Sequence, residues 1–483
     1  QDSIPCIFLS GQVRSEHMSY GKKIRQLGTQ EVPILNIVKP ITKETYLIND
    51  KERAPDIIHN AIKTAISGRP GPVWVDLPLS YQWEDIDFSE SSIEIQAKKE
   101  MRKISSSIYT KVSSMLDDSK KPLFILGYGV RLSGSLDAYK EFLEKNSFNF
   151  VTTWTAADYF PTNHKNNLGI IGMRGQKGAN KAVFESDLLI CLGTHLSIPH
   201  TTTLTDTYAP QAKKIIVNID KDQLENLNLD FDLIINEDLS NFIGGLSRLK
   251  IKKTENNDLG EMKKLNWHEP YEDLRPNPNK FFRVLTKLSD ESTAFIVDGG
   301  GTALYAGFQS AYIKNNQRII CSSAISAMGT GLAEVIGVHN ANKFNNLICI
   351  IGDGSFLMNI QDLQTIRSQN IPVIICVINN NGYLAIRNTQ NEFLSGKLYG
   401  THPDWSLEMP NIEKLSTGFQ IPFIRIEEKN KIKETIDSIY KSKGPLICEV
   451  VTDENVDELF SQGYKDNEDG TFTPLPLYEM REN

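Results

Sequence analysis

Leu347-Ile348-Cys349-Ile350-Ile351-Gly352-Asp353-Gly354-Ser355, answered by Val373-Ile374-Ile375-Cys376-Val377-Ile378-Asn379-Asn380-Asn381-Gly382, is the pair of stretches that decides how this chain reads. Each is an unbroken apolar run that stops abruptly at small and polar residues, the pattern of a strand buried on both faces of a parallel sheet. Asp353 and Asn380 stand 27 residues apart. That spacing suits a loop, one helix and the next parallel strand, so both side chains emerge at the same sheet edge. One carboxylate, one amide oxygen and a nearby main-chain carbonyl, that of Gly382, are hard oxygen ligands. Such a set suits Mg²⁺, which takes few protein ligands and completes its octahedron with phosphate oxygens and water. Gly352 and Gly354 let the backbone come close to a diphosphate, and a helix opening near Ser355 points its N–H groups and positive dipole end at it.

Two further strand ends belong with these. Ala294 to Val297 leads into Asp298-Gly299-Gly300-Gly301-Thr302, and Arg318 to Cys321 leads into Ser326-Ala327-Met328-Gly329. Four successive strand ends with small or polar residues allow several loops to converge on one ligand. Upstream, Leu123 to Leu126 with its turn Gly127-Tyr128-Gly129, Leu188 to Leu192 and Ile215 to Ile219 form a second block of the same kind. In the first third, Ile57, Ile58, Ala61, Ile62, Ala65 and Ile66 recur at helical spacing before the stop at Gly68, and Val73-Trp74-Val75 follows as a strand. The fold class is therefore α/β, with three doubly wound parallel-sheet domains over residues 1–82, 108–250 and 277–455. Residues 83–107 and 251–276 read as linkers, the charged run Lys250 to Lys264 as a solvated connector, and 456–483 as a tail that is either a lid or a surface strap. The text opens in mid-stride on the strand Ile4 to Leu9, which needs neighbours. The first domain thus reads as incomplete, with on the order of 100 residues expected ahead of it.

Composition narrows the function. A chain of 483 residues exceeds one folding unit. Its formal charge of -8 is spread without a basic stripe, which argues against a nucleic-acid partner. No stretch approaches ~20 uninterrupted apolar residues, so a soluble, cytoplasmic protein without a membrane span is expected. Five of the six cysteines sit in or beside strand-like runs, with no CxxC pair or zinc-ligand spacing.

The segment from Gly352-Asp353-Gly354-Ser355 to Asn379-Asn380 resembles the diphosphate and Mg²⁺ signature of thiamine diphosphate enzymes. Among these the chain is similar to the acetolactate synthase group. The matching phrases are Ser10-Gly11-Gln12-Val13, Gln30-Glu31, Pro40-Ile41-Thr42-Lys43, Gly68-Arg69-Pro70-Gly71-Pro72-Val73, Gly172-Met173-Arg174-Gly175 and Ser355-Phe356-Leu357-Met358-Asn359, in the family's order. The resemblance implies a pyrimidine-binding, a middle and a diphosphate-binding domain. It places Gly301, Thr302, Ala327, Met328, Gly352, Asp353, Gly354, Ser355 and Asn380 around thiamine diphosphate, with Asp353, Asn380 and Gly382 on Mg²⁺. Met328 would bend the cofactor into a V, so that its own imino group meets the ring proton to be removed. Gln12 and Lys43 match positions lining the substrate channel from a partner subunit, which implies a homodimer or homotetramer. Met328 and Gln12 are the candidate catalytic residues. The implied activity is decarboxylation of a 2-oxo acid, with the remaining acyl unit passed to a carbonyl acceptor or protonated.

Three departures qualify that expectation. The family's activating glutamate lies upstream of the phrase matching Ser10-Gly11-Gln12, beyond this sequence. Without it, a cofactor-holding but inactive subunit is a rival reading. Where true acetolactate synthases carry a tryptophan that helps select the acceptor, this chain has Thr389. The acceptor then differs from the usual oxo acid and suits a keto-sugar of a surface-sugar pathway, with Arg387 holding a carboxylate or phosphate. Gly193-Thr194-His195-Leu196-Ser197 lacks the arginine and acidic residues of the flavin-binding members, so FAD is doubtful, and His195 and His200 read as satisfied surface residues. A dinucleotide-dependent oxidoreductase is the remaining rival, but Gly127-Tyr128-Gly129 has no third glycine at the required offset.

Overall fold

A computed structural model describes residues 2–86, 104–251, 259–456 and 458–482. Its contacts separate the chain into two units, Gln1–Lys103 and Ile104–Asn483. The α/β reading holds, with three parallel sheets of three, six and six strands.

In the first unit, strands β1 (Cys6–Gln12), β2 (Glu44–Leu47) and β3 (Pro72–Pro78) are ordered β1-β3-β2 and run parallel. The helix Ala54–Ile66 turns Ala61 and Ala65 onto Val73 and Val75, as its apolar stripe requires. Asp76 is buried on β3 and accepts from Ser10 Oγ at 2.6 Å and Gln12 Nε2 at 3.1 Å, so the carboxyl ends of β1 and β3 share one polar knot.

In the second unit, β4 (Pro122–Leu126), β5 (Asn149–Thr152), β6 (Asn167–Ile170), β7 (Leu188–Leu192), β8 (Lys213–Asn218) and β9 (Leu233–Asn236) form a parallel sheet ordered β6-β5-β4-β7-β8-β9. Every residue of β4 and β7 is buried, which explains their unbroken apolar text. A Cβ on Gly129 would stand 2.7 Å from the Gly193 Cα. These turns need glycine because two strand-end backbones pack on each other, which accounts for Gly127-Tyr128-Gly129 without a nucleotide.

The third sheet contains β10 (Thr293–Val297), β11 (Arg318–Ile320), β12 (Asn346–Gly352), β13 (Val373–Asn379), β14 (Phe423–Ile426) and β15 (Leu446–Val451), ordered β11-β10-β12-β13-β15-β14 and parallel throughout. Phe281, Phe282, Leu285 and Phe308 cover one face, and Leu332, Val335, Leu363 and Ile366 the other. Strand order reverses at β10, between β11 and β12. That reversal opens a crevice at the carboxyl ends, the usual ligand position in such sheets.

One of the two connecting segments holds an anchor that its sequence reading did not expect. Of the first expected linker, 87–103 lie outside the described residues, and a helix starts at Ser106. Of the connector ending at Lys264, 252–258 likewise lie outside them, but Met262 is buried in the middle core, and the neighbouring Asn266 Nδ2 donates to Leu168 O at 2.7 Å. Alternate charges hid a single anchoring residue. The tail is fastened as a strap: Gln309 exchanges both side-chain hydrogen bonds with the Phe460 main chain, Gln462 Nε2 reaches Thr202 Oγ1 at 3.1 Å, and Lys177 pairs with Glu482 at 2.6 Å. Among the described residues, no helix is long and apolar enough to cross a membrane.

Asp158, with its side chain fully buried, joins the middle and third sheets. Its carboxylate meets Arg131 at 2.8 Å and Arg318 at 2.7 Å, and accepts the Ile319 N–H at 3.0 Å. Replacing Asp158 by Ala strands two guanidinium groups and a strand N–H. We expect a loss of roughly 3 kcal/mol, read as a lower urea midpoint at constant m-value.

Candidate functional site

The loops after β10, β12 and β13 meet at the strand-order reversal. Asp298, wholly buried at the end of β10, accepts the Gly300 N–H at 3.2 Å and the Gly331 N–H at 3.0 Å. Burial pushes its carboxyl up, and the N–H groups of Gly331 and Gly300 and the Ser355 hydroxyl oppose that rise. Asp298 thereby ties the Gly299–Thr302 turn to the start of the helix Thr330–Asn340. The sequence points to Gly301 and Thr302 in that turn and not to this carboxylate, although a lone Asp after a buried strand was the available signal.

Glycine spacing then sets how closely the loops approach. A Cβ on Gly300 would lie 2.5 Å from Ser355 Oγ and 2.8 Å from Met328 Cγ, and one on Gly299 would lie 2.5 Å from Ala327 O. Gly354 is covered by the Tyr383 ring, 2.3 Å from where its Cβ would be. Gly301 has φ +47°, and a Cβ on Gly352 would meet nothing within 4 Å. Gly301, Thr302, Ala327, Met328, Gly352, Asp353, Gly354, Ser355, Asn380 and Gly382 therefore gather at one edge of one sheet. The helix expected near Ser355 starts at Asp353 and ends at Met358.

Asp353 is 2% exposed; its two oxygens accept the Gly354 and Gly382 N–H groups, each at 2.8 Å. Burial pushes its carboxyl up to about 7, against the two N–H donors and the Arg387 charge. Asn380 is 4% exposed and donates from Nδ2 to Thr302 Oγ1 at 3.2 Å, while its Oδ1 is buried with no partner. A buried carboxylate and an unsatisfied amide oxygen on adjoining loops are both unfavourable until a cation takes them. The residues present thus fit Mg²⁺, and the open space beside Gly352 leaves the backbone accessible to a phosphate.

Other candidates fall elsewhere. Arg387 is 1% exposed and does not await a substrate anion: its guanidinium donates to the carbonyls of Asn380 at 2.7 Å, Glu454 at 2.6 Å, and Asn381 and Thr401 at 3.1 Å each. Thr389 is exposed on the same helix, Leu384–Phe393, with its hydroxyl returned to Ala385 O at 3.1 Å. Gln12 sits at the carboxyl end of β1 and donates to Val32 O at 2.7 Å, whereas Lys43 precedes β2 at the opposite edge of that sheet. Lys43 Nζ caps the helix Ala54–Ile66 through Thr64 O and Ser67 O, both at 2.7 Å. His195 is exposed, but His200 is not a satisfied surface residue. Its ring lies edge-on to Trp154, Nδ1 meets Ser197 Oγ at 3.0 Å, and Nε2 is buried without a partner.

Comparison with known proteins agrees with this geometry. Residues 109–246 match the family model described as "Thiamine pyrophosphate enzyme, central domain", and residues 299–450 match "Thiamine pyrophosphate enzyme, C-terminal TPP binding domain". The chain is 30% identical to a probable acetolactate synthase large subunit of Methanocaldococcus jannaschii, over 94% of this chain and 77% of that protein. It is 28% identical to acetolactate synthase isozyme 2 large subunit of Escherichia coli K12, over 97% of this chain and 83% of the relative. The chloroplastic acetolactate synthase 1 of Oryza sativa subsp. japonica is also 28% identical, with 93% and 71% covered.

Two outcomes follow from the geometry. Gly300→Ala should force Ser355 and Met328 aside and lower the melting temperature, by about 1–3 kcal/mol of stability. Burial pushes His200 down to about 4 from its ordinary 6.5, so the folded chain binds fewer protons there than the unfolded one. The stability held by neutral His200 is complete above pH 6.5 and lost as pH falls toward 4. His200→Gln should flatten the pH dependence of the urea midpoint across pH 6.5 to 5.

Proposed function

Because this chain belongs to the thiamine pyrophosphate enzymes, in the acetolactate synthase family, we propose that it decarboxylates a 2-oxo acid and passes the acyl unit to a carbonyl acceptor, using thiamine diphosphate and Mg²⁺. The observation that carries the reading is the unpartnered, buried Asn380 Oδ1 on the loop whose Gly382 N–H binds the buried Asp353 carboxylate.

Asp353, Asn380 Oδ1 and the Gly382 carbonyl would hold Mg²⁺, and the bond from Asn380 Nδ2 to Thr302 Oγ1 would leave Oδ1 as the amide's metal-facing atom. The helix Gly301–Ser310 begins without a side-chain cap, which leaves its first N–H groups for diphosphate oxygens. Met328, packed on Gly300, supplies the bulky apolar surface that the resemblance assigns to bending the cofactor. When bound, thiamine diphosphate supplies the electron sink into which the bond to the leaving carboxylate is cleaved. The protein's part is to orient and shield. Thr389 and Ile386, exposed on the helix Leu384–Phe393, leave more room than the tryptophan of true acetolactate synthases. A bulkier acceptor, such as a keto-sugar, suits that surface. Assembly as a homodimer or homotetramer, with Gln12 facing the site of a partner subunit, belongs to the same proposal.

Titration calorimetry of thiamine diphosphate into the chain, with and without Mg²⁺, tests the reading. We expect Mg²⁺-dependent binding that is lost in Asp353→Ala. Equal binding by both proteins, or none by the parent chain with Mg²⁺ present, would remove the cofactor assignment.

A further inference from the structure

The Asn379–Gly382 loop has to aim an amide oxygen and a carbonyl in one direction from an unfavourable backbone. Asn381 has φ +58° and Gly382 φ +124°. Asn379 stays in the sheet, its carbonyl accepting the Thr452 N–H at 2.9 Å, and its side-chain oxygen turns the chain by accepting the Asn381 N–H at 2.9 Å. The next two carbonyls, of Asn380 and Asn381, leave the ladder and end on the buried Arg387 guanidinium. That guanidinium also takes the carbonyls of Thr401 and Glu454, residues in two segments far away in sequence.

We infer that Arg387 is a positioning residue for the metal-binding loop and couples that loop to the segments around Thr401 and Glu454. The inference rests on the cofactor reading above. A planar, permanently charged fork with five N–H donors can serve four carbonyls at fixed angles, which a lysine ammonium with three donors on one atom cannot do. Its partners reinforce each other. Asn381 Nδ2 donates to Glu454 Oε1 at 2.7 Å, Thr401 Oγ1 donates to Gln390 Oε1 at 2.6 Å, and Gln390 Nε2 donates to Tyr399 O at 3.1 Å. Gln390 lies three residues beyond Arg387 on the same helix, so one helix face sets the height of both segments. The Asn380–Asn381 peptide fixes where Asn380 Oδ1 points, and the Gly382 N–H that follows binds Asp353. Losing the fork would free the left-handed Asn381 to relax and pull both groups off a common ion.

The test compares the parent chain with Arg387→Lys, titrating thiamine diphosphate at graded Mg²⁺. We expect Arg387→Lys to keep a parent-like circular dichroism spectrum, yet to need on the order of tenfold more Mg²⁺ or above for half-maximal cofactor binding. A folded Arg387→Lys with the parent Mg²⁺ requirement overturns the positioning role while leaving the cofactor reading intact. A parent chain without Mg²⁺-dependent binding overturns both. Hydrogen exchange on the parent chain serves if the variant fails to fold. Mg²⁺ with thiamine diphosphate should protect the amides of 400–402 and 453–455 along with those of 380–382, and protection confined to 380–382 would overturn the coupling.

Discussion

A buried carboxylate with only main-chain partners sets the terms for the third sheet. Asp353 stands where burial holds it near the point of losing its charge, and the two N–H groups it accepts come from its own turn and from the loop after the next strand. Those bonds require β12 and β13 to end level with each other, which their parallel register provides by setting Gly352 opposite Ile378. Asn380 then arrives with an amide oxygen that no group among the described residues satisfies. A carboxylate and an unpaired amide oxygen on adjoining loops are hard oxygen donors, the kind of set that the proposed Mg²⁺ would take.

Close packing converts that demand into a shape. Gly299 and Gly300 let the loop after β10 press against Ala327, Met328 and Ser355 with no room for a methyl group, while Gly352 faces open space. The two kinds of glycine are indistinguishable in text. Asp298 binds the inner end of the same turn to the start of the helix Thr330–Asn340, so these loops are braced by a buried side chain that takes main-chain N–H groups. Arg387 braces the outer side through main-chain carbonyls.

Misreadings had a common cause. Arg387 was expected at a substrate because an arginine on an amphipathic helix is ordinarily exposed, and its four acceptors come from segments up to 67 residues away in sequence. The charged run before Lys264 concealed the buried Met262. In each case the partner is a main-chain group or a single side chain contributed from afar, and no local periodicity encodes such a partner.

What the sequence by itself determined was the α/β class, the buried parallel strands and the sheet edge where Asp353 and Asn380 meet, because unbroken apolar runs ending in Gly, Asp and Asn can pack in few ways. Spacing along the chain carries that much, since a strand, a helix and a strand have known lengths. Only the tertiary structure decided that Asn380 Oδ1 is left unpaired among the described residues, that Asp298 and Arg387 hold the loops, and that the Nε2 of His200 is buried. Those facts depend on which distant carbonyls and rings fill the space around each side chain. That is a property of packing in three dimensions, which a local pattern of residue types does not contain.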